Sequence, residues 1–298
     1  MTSRRIALVT ARAARDLDDD LPPLVAALGA AGADVSVPNW DDPDVDWSLC
    51  DMALLRSTWD YTLRLAEFRA WTERVSRLTR LLNPLPVVRW NTDKHYLHDL
   101  DEAGIAIVPS AFIEPGEDAE ARLDAFLDAH ASTEFVVKPA IGAGSRDAQR
   151  YARTQRDAAV EHAQRLIEAQ RSVLLQPYLA RVDEHGETAL IFFAGRFSHA
   201  IRKGPLLRPN EGPTRALFAA EHISPRTPGA DELRLAQRTL AAMPFPHLLY
   251  ARVDLIHDAA HQPCVLELEL TEPSLFFAHS AGAAERFAAA IMAWPPER

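Results

Sequence analysis

The sequence predicts an α/β chain whose central and C-terminal parts turn to α+β. Three observations predict it. The first ninety residues alternate apolar strands with amphipathic helices. The last third carries closely spaced apolar strands with few helices between them. No fixed period or low-complexity segment marks a repeat array, and the alternation is too irregular for a purely parallel sheet.

Residues 4–10 (Arg-Arg-Ile-Ala-Leu-Val-Thr) read as a first buried strand, because Arg12, Arg15 and Asp16 break the apolar run too early for a secretory signal. Residues 20–32 read as a helix ending near Gly29 and Gly32, and residues 33–38 and 52–56 as the second and third strands. Leu65, Phe68, Trp71, Val75 and Leu78 recur at helical spacing, which predicts a helix over 63–81. Residues 83–86 (Asn-Pro-Leu-Pro) then read as a connector, so residues 1–90 form an open α/β domain. Beyond it come a helix over 93–103 stopped by Gly104, a strand over 105–112 and a polar helix over 117–130. A strand over 134–138 runs into a glycine loop, and a helix over 155–170 precedes a strand over 172–176. Strands near 187–194, 197–203, 248–257 and 263–270 follow, with helices near 229–242 and 280–293. The expected lobes are 1–90, 91–175 and 176–298.

The charge count excludes some functions. Lys plus Arg is 32 against 42 Asp plus Glu in 298 residues, a formal charge of −10 that argues against a broad nucleic-acid surface. No apolar run reaches the roughly 18 residues of a membrane helix. Two cysteines, Cys50 and Cys264, imply no disulfide framework and fit a reducing cytoplasm. Of the 32 basic side chains only three are lysine, at 94, 138 and 203. Where arginine serves as the general surface cation, a retained lysine marks a place that needs a compact ammonium.

Four motifs carry chemistry. In residues 135–147 a strand ends at Lys138 and opens at once into a loop with Gly142, Gly144 and Ser145, where backbone N–H groups can approach phosphate oxygens. The loop lacks the closing Gly-Lys-Ser/Thr of a P-loop and the third glycine of a dinucleotide fingerprint. A strand exits through Gln176, Pro177, Tyr178 and Leu179, a stiff extended stretch that can present backbone groups to an adenine edge, with Asp183 and Glu187 downstream for ribose hydroxyls. Residues 198–203 end in Arg202 and Lys203 on opposite faces of a strand. The strongest motif joins Arg252 and Asp254 on one strand to Glu267 and Glu269 on another. Two carboxylates on one face of an apolar strand are costly unless neutralised, and Mg²⁺ does this with oxygen ligands. His257, His261 and Cys264 match no common zinc spacing.

Together these motifs resemble the ATP-grasp superfamily of carboxylate ligases, which includes D-alanine–D-alanine ligase and prokaryotic glutathione synthetase. The resemblance covers nearly the whole chain in the right order. It implies a three-lobed fold with the nucleotide between two antiparallel-rich α+β lobes. Lys94 and Lys138 match the family's two phosphate lysines, residues 176–179 its adenine hinge, and Asp183, with Glu187 as rival, its ribose carboxylate. Lys203 or Arg202 matches its further basic residue, Arg252 and Asp254 its Arg-x-Asp, and Glu267 and Glu269 its Glu-x-Asn metal pair, with Glu269 in place of the usual Asn. The cofactors implied are ATP and Mg²⁺, held by Asp254, Glu267 and Glu269.

Residues 55–61 (Leu-Arg-Ser-Thr-Trp-Asp-Tyr) follow the third strand, where open α/β domains present ligand loops. Arg56 suits a substrate carboxylate, Ser57, Thr58 and Asp60 an amino group or hydroxyl, and Trp59 and Tyr61 the pocket wall. An N-cap at Thr58 or Asp60 is the plainer alternative. This loop, with residues 198–203 and 267–275 including Ser274, is similar to a small-enzyme branch of the superfamily, one that includes a ligase cyclising O-ureido-D-serine to D-cycloserine. The resemblance implies an acyl-phosphate ligase for a small amino acid, releasing ADP, phosphate, CO2 and ammonia. The alternative is a ligase joining two molecules, and a dimer or higher homo-oligomer fits either.

Overall fold

The computed structural model describes residues 3–208, 212 and 222–295 of the chain. The N-terminal region contains β1 (Arg5–Thr10), α1 (Leu21–Ala30), β2 (Asp34–Ser36), β3 (Met52–Ser57), α2 (Leu65–Val75) and β4 (Arg80–Leu82). Its four strands pair in parallel in the order β2-β1-β3-β4. The near-continuous apolar runs of β1 and β3 follow from burial on both faces. Ile6, Leu8, Met52 and Leu54 pack toward α1, while Ala7, Val9, Ala53 and Leu55 pack toward Phe68, Trp71 and Val75 of α2.

The expected helix over 63–81 stops at Val75. Leu78 keeps the helical spacing but is exposed, and the chain turns so that Thr79 Oγ1 donates to the Cys50 carbonyl at 2.8 Å before β4 joins the sheet. The expected connector at 83–86 instead leads into α3 (Leu85–Asn91), whose first turn carries Pro86, a place where the missing N–H costs nothing. The lobe boundary expected at 90/91 therefore falls within a helix.

The central region comprises α4 (Tyr96–Glu102), β5 (Ala111–Ile113), α5 (Ala119–Ala129), β6 (Glu134–Pro139), β7 (Gln149–Ala152), α6 (Arg156–Glu168) and β8 (Val173–Pro177). The strands form an antiparallel sheet in the order β5-β8-β6-β7. The strand expected over 105–112 shrinks to β5, because residues 105–108 run to the last lobe, where Ile107 bridges Val265 and Val108 N donates to the Val265 carbonyl at 2.9 Å. The boundary expected at 175/176 falls inside β8.

The C-terminal region contains α7 (Val182–His185), β9 (Glu187–Phe193), β10 (Arg196–Lys203), β11 (Ile223–Arg226), α8 (Ala230–Ala242), β12 (Tyr250–His257), β13 (Pro263–Glu269) and α9 (Ala283–Ala293). Its strands are antiparallel in the order β11-β10-β9-β12-β13. One face carries Leu190, Phe192, Ala200, Val253 and Leu255 against Leu235 and Ala236 of α8. The other carries Ala189, Ile191, Phe193 and Ile201 against Phe287 and Ile291 of α9, which also packs against α1. This second face changes from apolar to charged toward its open end, where α9 no longer covers it. Among the described residues no helix is long and apolar enough to cross a membrane.

Candidate active site

The charged end of the large sheet is assembled by strand register. Across β10 and β9, Lys203 lies opposite Glu187. Across β12 and β13, Asp254 lies opposite Glu267 and Arg252 opposite Glu269. Alternation puts all six on one face, below a cavity of about 430 Å³, a volume suited to small ligands. The central sheet closes the cavity from above with Lys138 from β6, Gln176 and Pro177 from β8, and the glycine loop. Lys94 enters ahead of α4, its backbone N–H donating to the Ala140 carbonyl at 3.0 Å.

The charges satisfy one another. Lys203 Nζ is 2.9 Å from Asp254 Oδ2 and 2.5 Å from Glu187 Oε1. Lys138 Nζ donates to Glu267 Oε1 at 2.7 Å, and Lys94 Nζ is 3.8 Å from the other Glu267 oxygen while donating to the Gly142 carbonyl at 2.9 Å. The Arg252 guanidinium makes two bonds of 2.8 Å to Asp254, donates to the Ser274 carbonyl at 3.0 Å, and also bonds Glu269. Burial opposes each carboxylate charge, but the neighbours differ. Arg252 and Lys203 hold Asp254 well below the usual carboxylate range, and Lys138 and Lys94 hold Glu267 down to about 2. Burial prevails at Glu187, pushed up to about 8, and raises Glu269 despite Arg252. Three hard oxygen donors on one face, Asp254, Glu267 and Glu269, fit a magnesium ion by ligand chemistry.

The nucleotide-side residues of the sequence analysis mostly reach this cavity. Gly142, Gly144, Ser145 and residues 176–179 line it, as do Lys94, Lys138, Glu187 and Lys203. Gly144, Ser145 and Asp147 all have positive φ, so the loop turns tightly. Gly186 is required sterically, since a Cβ there would meet the Lys203 carbonyl at 2.5 Å, and this close approach brings Glu187 beside Lys203.

One acidic and one basic candidate, Asp183 and Arg202, lie outside the cavity. Asp183 does not line the cavity. The Tyr178 hydroxyl donates to it and Arg150 Nη1 bonds it at 3.2 Å, with the guanidinium 3.6 Å over the Tyr178 ring. Of the two ribose candidates, only Glu187 faces the cavity. Arg202 points from the opposite face of β10 and donates to the His185 and Glu184 carbonyls at 2.7 and 3.0 Å.

The substrate loop divides likewise. Trp59, Tyr61 and Ser274 line the cavity. Arg56, Ser57 and Thr58 are fully buried away from it. Arg56 lies 3.8 Å from Asp18 and 3.5 Å from Asp20 and donates to the Pro273 carbonyl at 3.1 Å, so its charge is spent inside the protein. Ser57 and Thr10 hydroxyls bond at 2.7 Å. Asp60 turns outward to Trp40 Nε1 at 2.8 Å and Arg64 at 3.6 Å.

Several cavity residues escaped the sequence reading. Asp18 and Asp20 look like helix-capping acids ahead of α1. Asp20 instead accepts the backbone N–H groups of Leu275, Phe276 and Phe277 at 2.6, 3.0 and 2.8 Å. Asn91 clamps β13 through Leu268 O and Leu270 N, both at 2.7 Å, and the Tyr96 hydroxyl accepts from Leu268 N at 2.9 Å. Glu272, a third acid after the Glu267–Glu269 pair, is buried at the cavity wall. Burial and the nearby Glu269 push its carboxyl up to about 8. His257 turns away to His185 and Glu232 on the sheet's other side, where the Arg226 guanidinium already lies against both partners.

Comparison with known proteins places this architecture. Residues 6–83 match the family model for the N-terminal domain of D-cycloserine synthetase DcsG. The cycloserine biosynthesis protein DcsG of Streptomyces lavendulae is 42% identical over 293 residues, covering 96% of this chain and 97% of that protein. The crystal structure of D-cycloserine synthetase DcsG superposes with a TM-score of 0.90 at 42% identity, covering 96% of this chain and 98% of that one. The D-alanine–D-alanine ligase of Bacillus anthracis shares the fold alone, with a TM-score of 0.69 at 15% identity over 98% of this chain and 96% of that one. The chain is an ATP-grasp ligase and belongs to the family of the cycloserine biosynthesis protein DcsG.

Proposed function

We propose that this ligase cyclises O-ureido-D-serine to D-cycloserine at the expense of ATP. The observation that carries the reading is the single charged sheet face, with Lys203, Glu187, Asp254, Arg252, Glu267 and Glu269 opposed by Lys94 and Lys138 across one cavity. Lys94, Lys138 and Lys203 bind the phosphates, residues 176–179 take the adenine, and Glu187 takes the ribose. Asp254, Glu267 and Glu269 hold Mg²⁺, which when bound supplies charge neutralisation on the phosphates.

In the first step the substrate carboxylate attacks the γ-phosphorus, giving an acyl phosphate and ADP. The ureido nitrogen bonded to oxygen then attacks the acyl carbon and phosphate leaves. Arg252, held by Asp254, stabilises the oxyanion that forms. One water removes the carbamoyl group as CO2 and ammonia. Trp59, Tyr61 and Ser274 line the same cavity, and a substrate held there alone closes its own ring in preference to capturing a second amine. The loop over residues 141–147 shields the acyl phosphate from water. The two free cysteines fit the reducing cytoplasm.

The test supplies Mg-ATP and O-ureido-D-serine and reads ADP and cycloserine by mass spectrometry. Equal amounts of both are expected. ADP without cycloserine, released only when a second amine is added, would replace the reading with a two-molecule ligase.

A further inference from the structure

The buried acids around the cavity differ in one respect. Glu187 and Asp254 face Lys203, Glu267 faces Lys94 and Lys138, Glu269 faces Arg252, and Asp18 and Asp20 face Arg56. Glu272 is equally enclosed, 8% exposed, yet among the described residues no cationic nitrogen lies within 4.0 Å of it. The Tyr61 phenol lies beside the carboxyl and Trp59 Nε1 donates to the Glu272 backbone carbonyl at 3.1 Å, while Lys94 and Arg252 act on the carboxyl only from beyond ion-pair distance. Without a counter-ion a buried carboxyl holds its proton, and a ligand that brings a cation lets it ionise.

The backbone around Glu272 is fixed at successive residues. Leu270 N is held by Asn91 at 2.7 Å, the Thr271 carbonyl by the Tyr250 hydroxyl at 2.9 Å, and the Pro273 carbonyl by Arg56 at 3.1 Å. Arg252 holds the Ser274 carbonyl at 3.0 Å. A side chain on so constrained a segment has a set place, which is what recognition of one group requires. That place is three residues beyond Glu269, next to Arg252 and the cavity-lining Ser274. In an α-amino acid the ammonium is one carbon from the carboxylate, so the acid that takes the ammonium must lie close to the groups that activate the carboxylate.

We propose that Glu272 is the acceptor for the substrate's α-ammonium group, and that it makes the enzyme select α-amino acids over the same carboxylic acids without the amine. This rests on the ligase reading above. Asp18 and Asp20 at the cavity wall are paired with Arg56 behind it, and the cluster holds the loop in position.

The experiment compares wild type with Glu272→Gln on O-ureido-D-serine and on its des-amino analogue, 3-(ureidooxy)propanoic acid. Wild type is expected to turn over or bind the analogue about 10- to 100-fold less well, the range for loss of one charge-assisted hydrogen bond. Glu272→Gln is expected to raise KM for O-ureido-D-serine by a similar factor, keep KM for ATP, and treat the two compounds alike within about threefold. Glu272→Asp should restore part of the discrimination. A variant that keeps its KM and its discrimination overturns the proposal. So does a wild type that binds the analogue as well as the amino acid, a result that needs no folded variant. Wild type that makes no cycloserine from O-ureido-D-serine overturns the ligase reading and this proposal with it, whereas normal wild-type turnover with an indifferent variant overturns the proposal alone.

Discussion

Replacing Glu267 by Gln keeps the shape of the side chain and removes its charge. Two ammonium groups then lose their partner, Lys138 at 2.7 Å and Lys94 at 3.8 Å. The carboxyl titrates near 2 in the folded protein against an ordinary value of 4.5. At about 1.4 kcal/mol for each tenfold, that difference corresponds to about 3 kcal/mol of stability at pH 7. Because the folded value is depressed, this contribution is fully present above pH 4.5 and is lost as pH falls toward 2. Urea unfolding of wild type and Glu267→Gln should therefore differ by about 3 kcal/mol at pH 7 and by about half of that at pH 3. ADP release should fall by at least about a hundredfold, since the carboxylate is a proposed magnesium ligand. A variant as stable as wild type at pH 7 would refute the electrostatic reasoning, and retained turnover would refute the metal assignment.

Arg56→Met should strand Asp18 and Asp20 and cost about 3–5 kcal/mol in thermal unfolding, while KM for the amino acid changes only a few-fold because Arg56 does not line the cavity. A stable Arg56→Met protein with a steeply raised KM would restore Arg56 as a substrate contact. His162 is buried, its Nδ1 3.0 Å from the Tyr151 hydroxyl, and burial lowers its imidazole to about 4 from 6.5. The unfolded chain takes up this proton first, so stability should fall by about 3 kcal/mol as pH drops from 6.5 to 4. His162→Phe should lose that slope in equilibrium unfolding, and an unchanged slope would place the dependence elsewhere.

The lysines and the paired strands were legible because their signal is local. A charged residue inside an apolar strand needs a reason, and alternation alone separates Lys203 from Arg202 and aligns Glu267 with Glu269. The same locality limits the reading of residues 56–60. The chain there carries carboxylate- and hydroxyl-binding side chains in a ligand-presenting position. Only packing decides that Arg56 is spent on Asp18 and Asp20 while Trp59 and Tyr61 face the cavity. Asp183 fails for a similar reason, since Arg150 claims it from 33 residues upstream. Short strands such as β4, three residues long, have too few positions to show a period. Glu272 was hidden differently. What sets it apart is that no cation pairs with it within 4.0 Å among the described residues, and nothing in one dimension reports that.

Asp20 also bears on how the molecule is made. Its carboxyl is synthesised long before the amides it receives, which belong to Leu275, Phe276 and Phe277, 255 to 257 residues later. Until those residues arrive, the segment carrying Glu272 and Ser274 lacks its anchor, and β13 lacks the strand end that Arg252 grips. Such distant pairings close late in folding, because a long intervening chain must be ordered first. An incomplete chain emerging from the ribosome would thus fold its parallel sheet early and yet hold no finished catalytic pocket. The working site matures only once the segment over residues 275–277 has been made and has docked on Asp20.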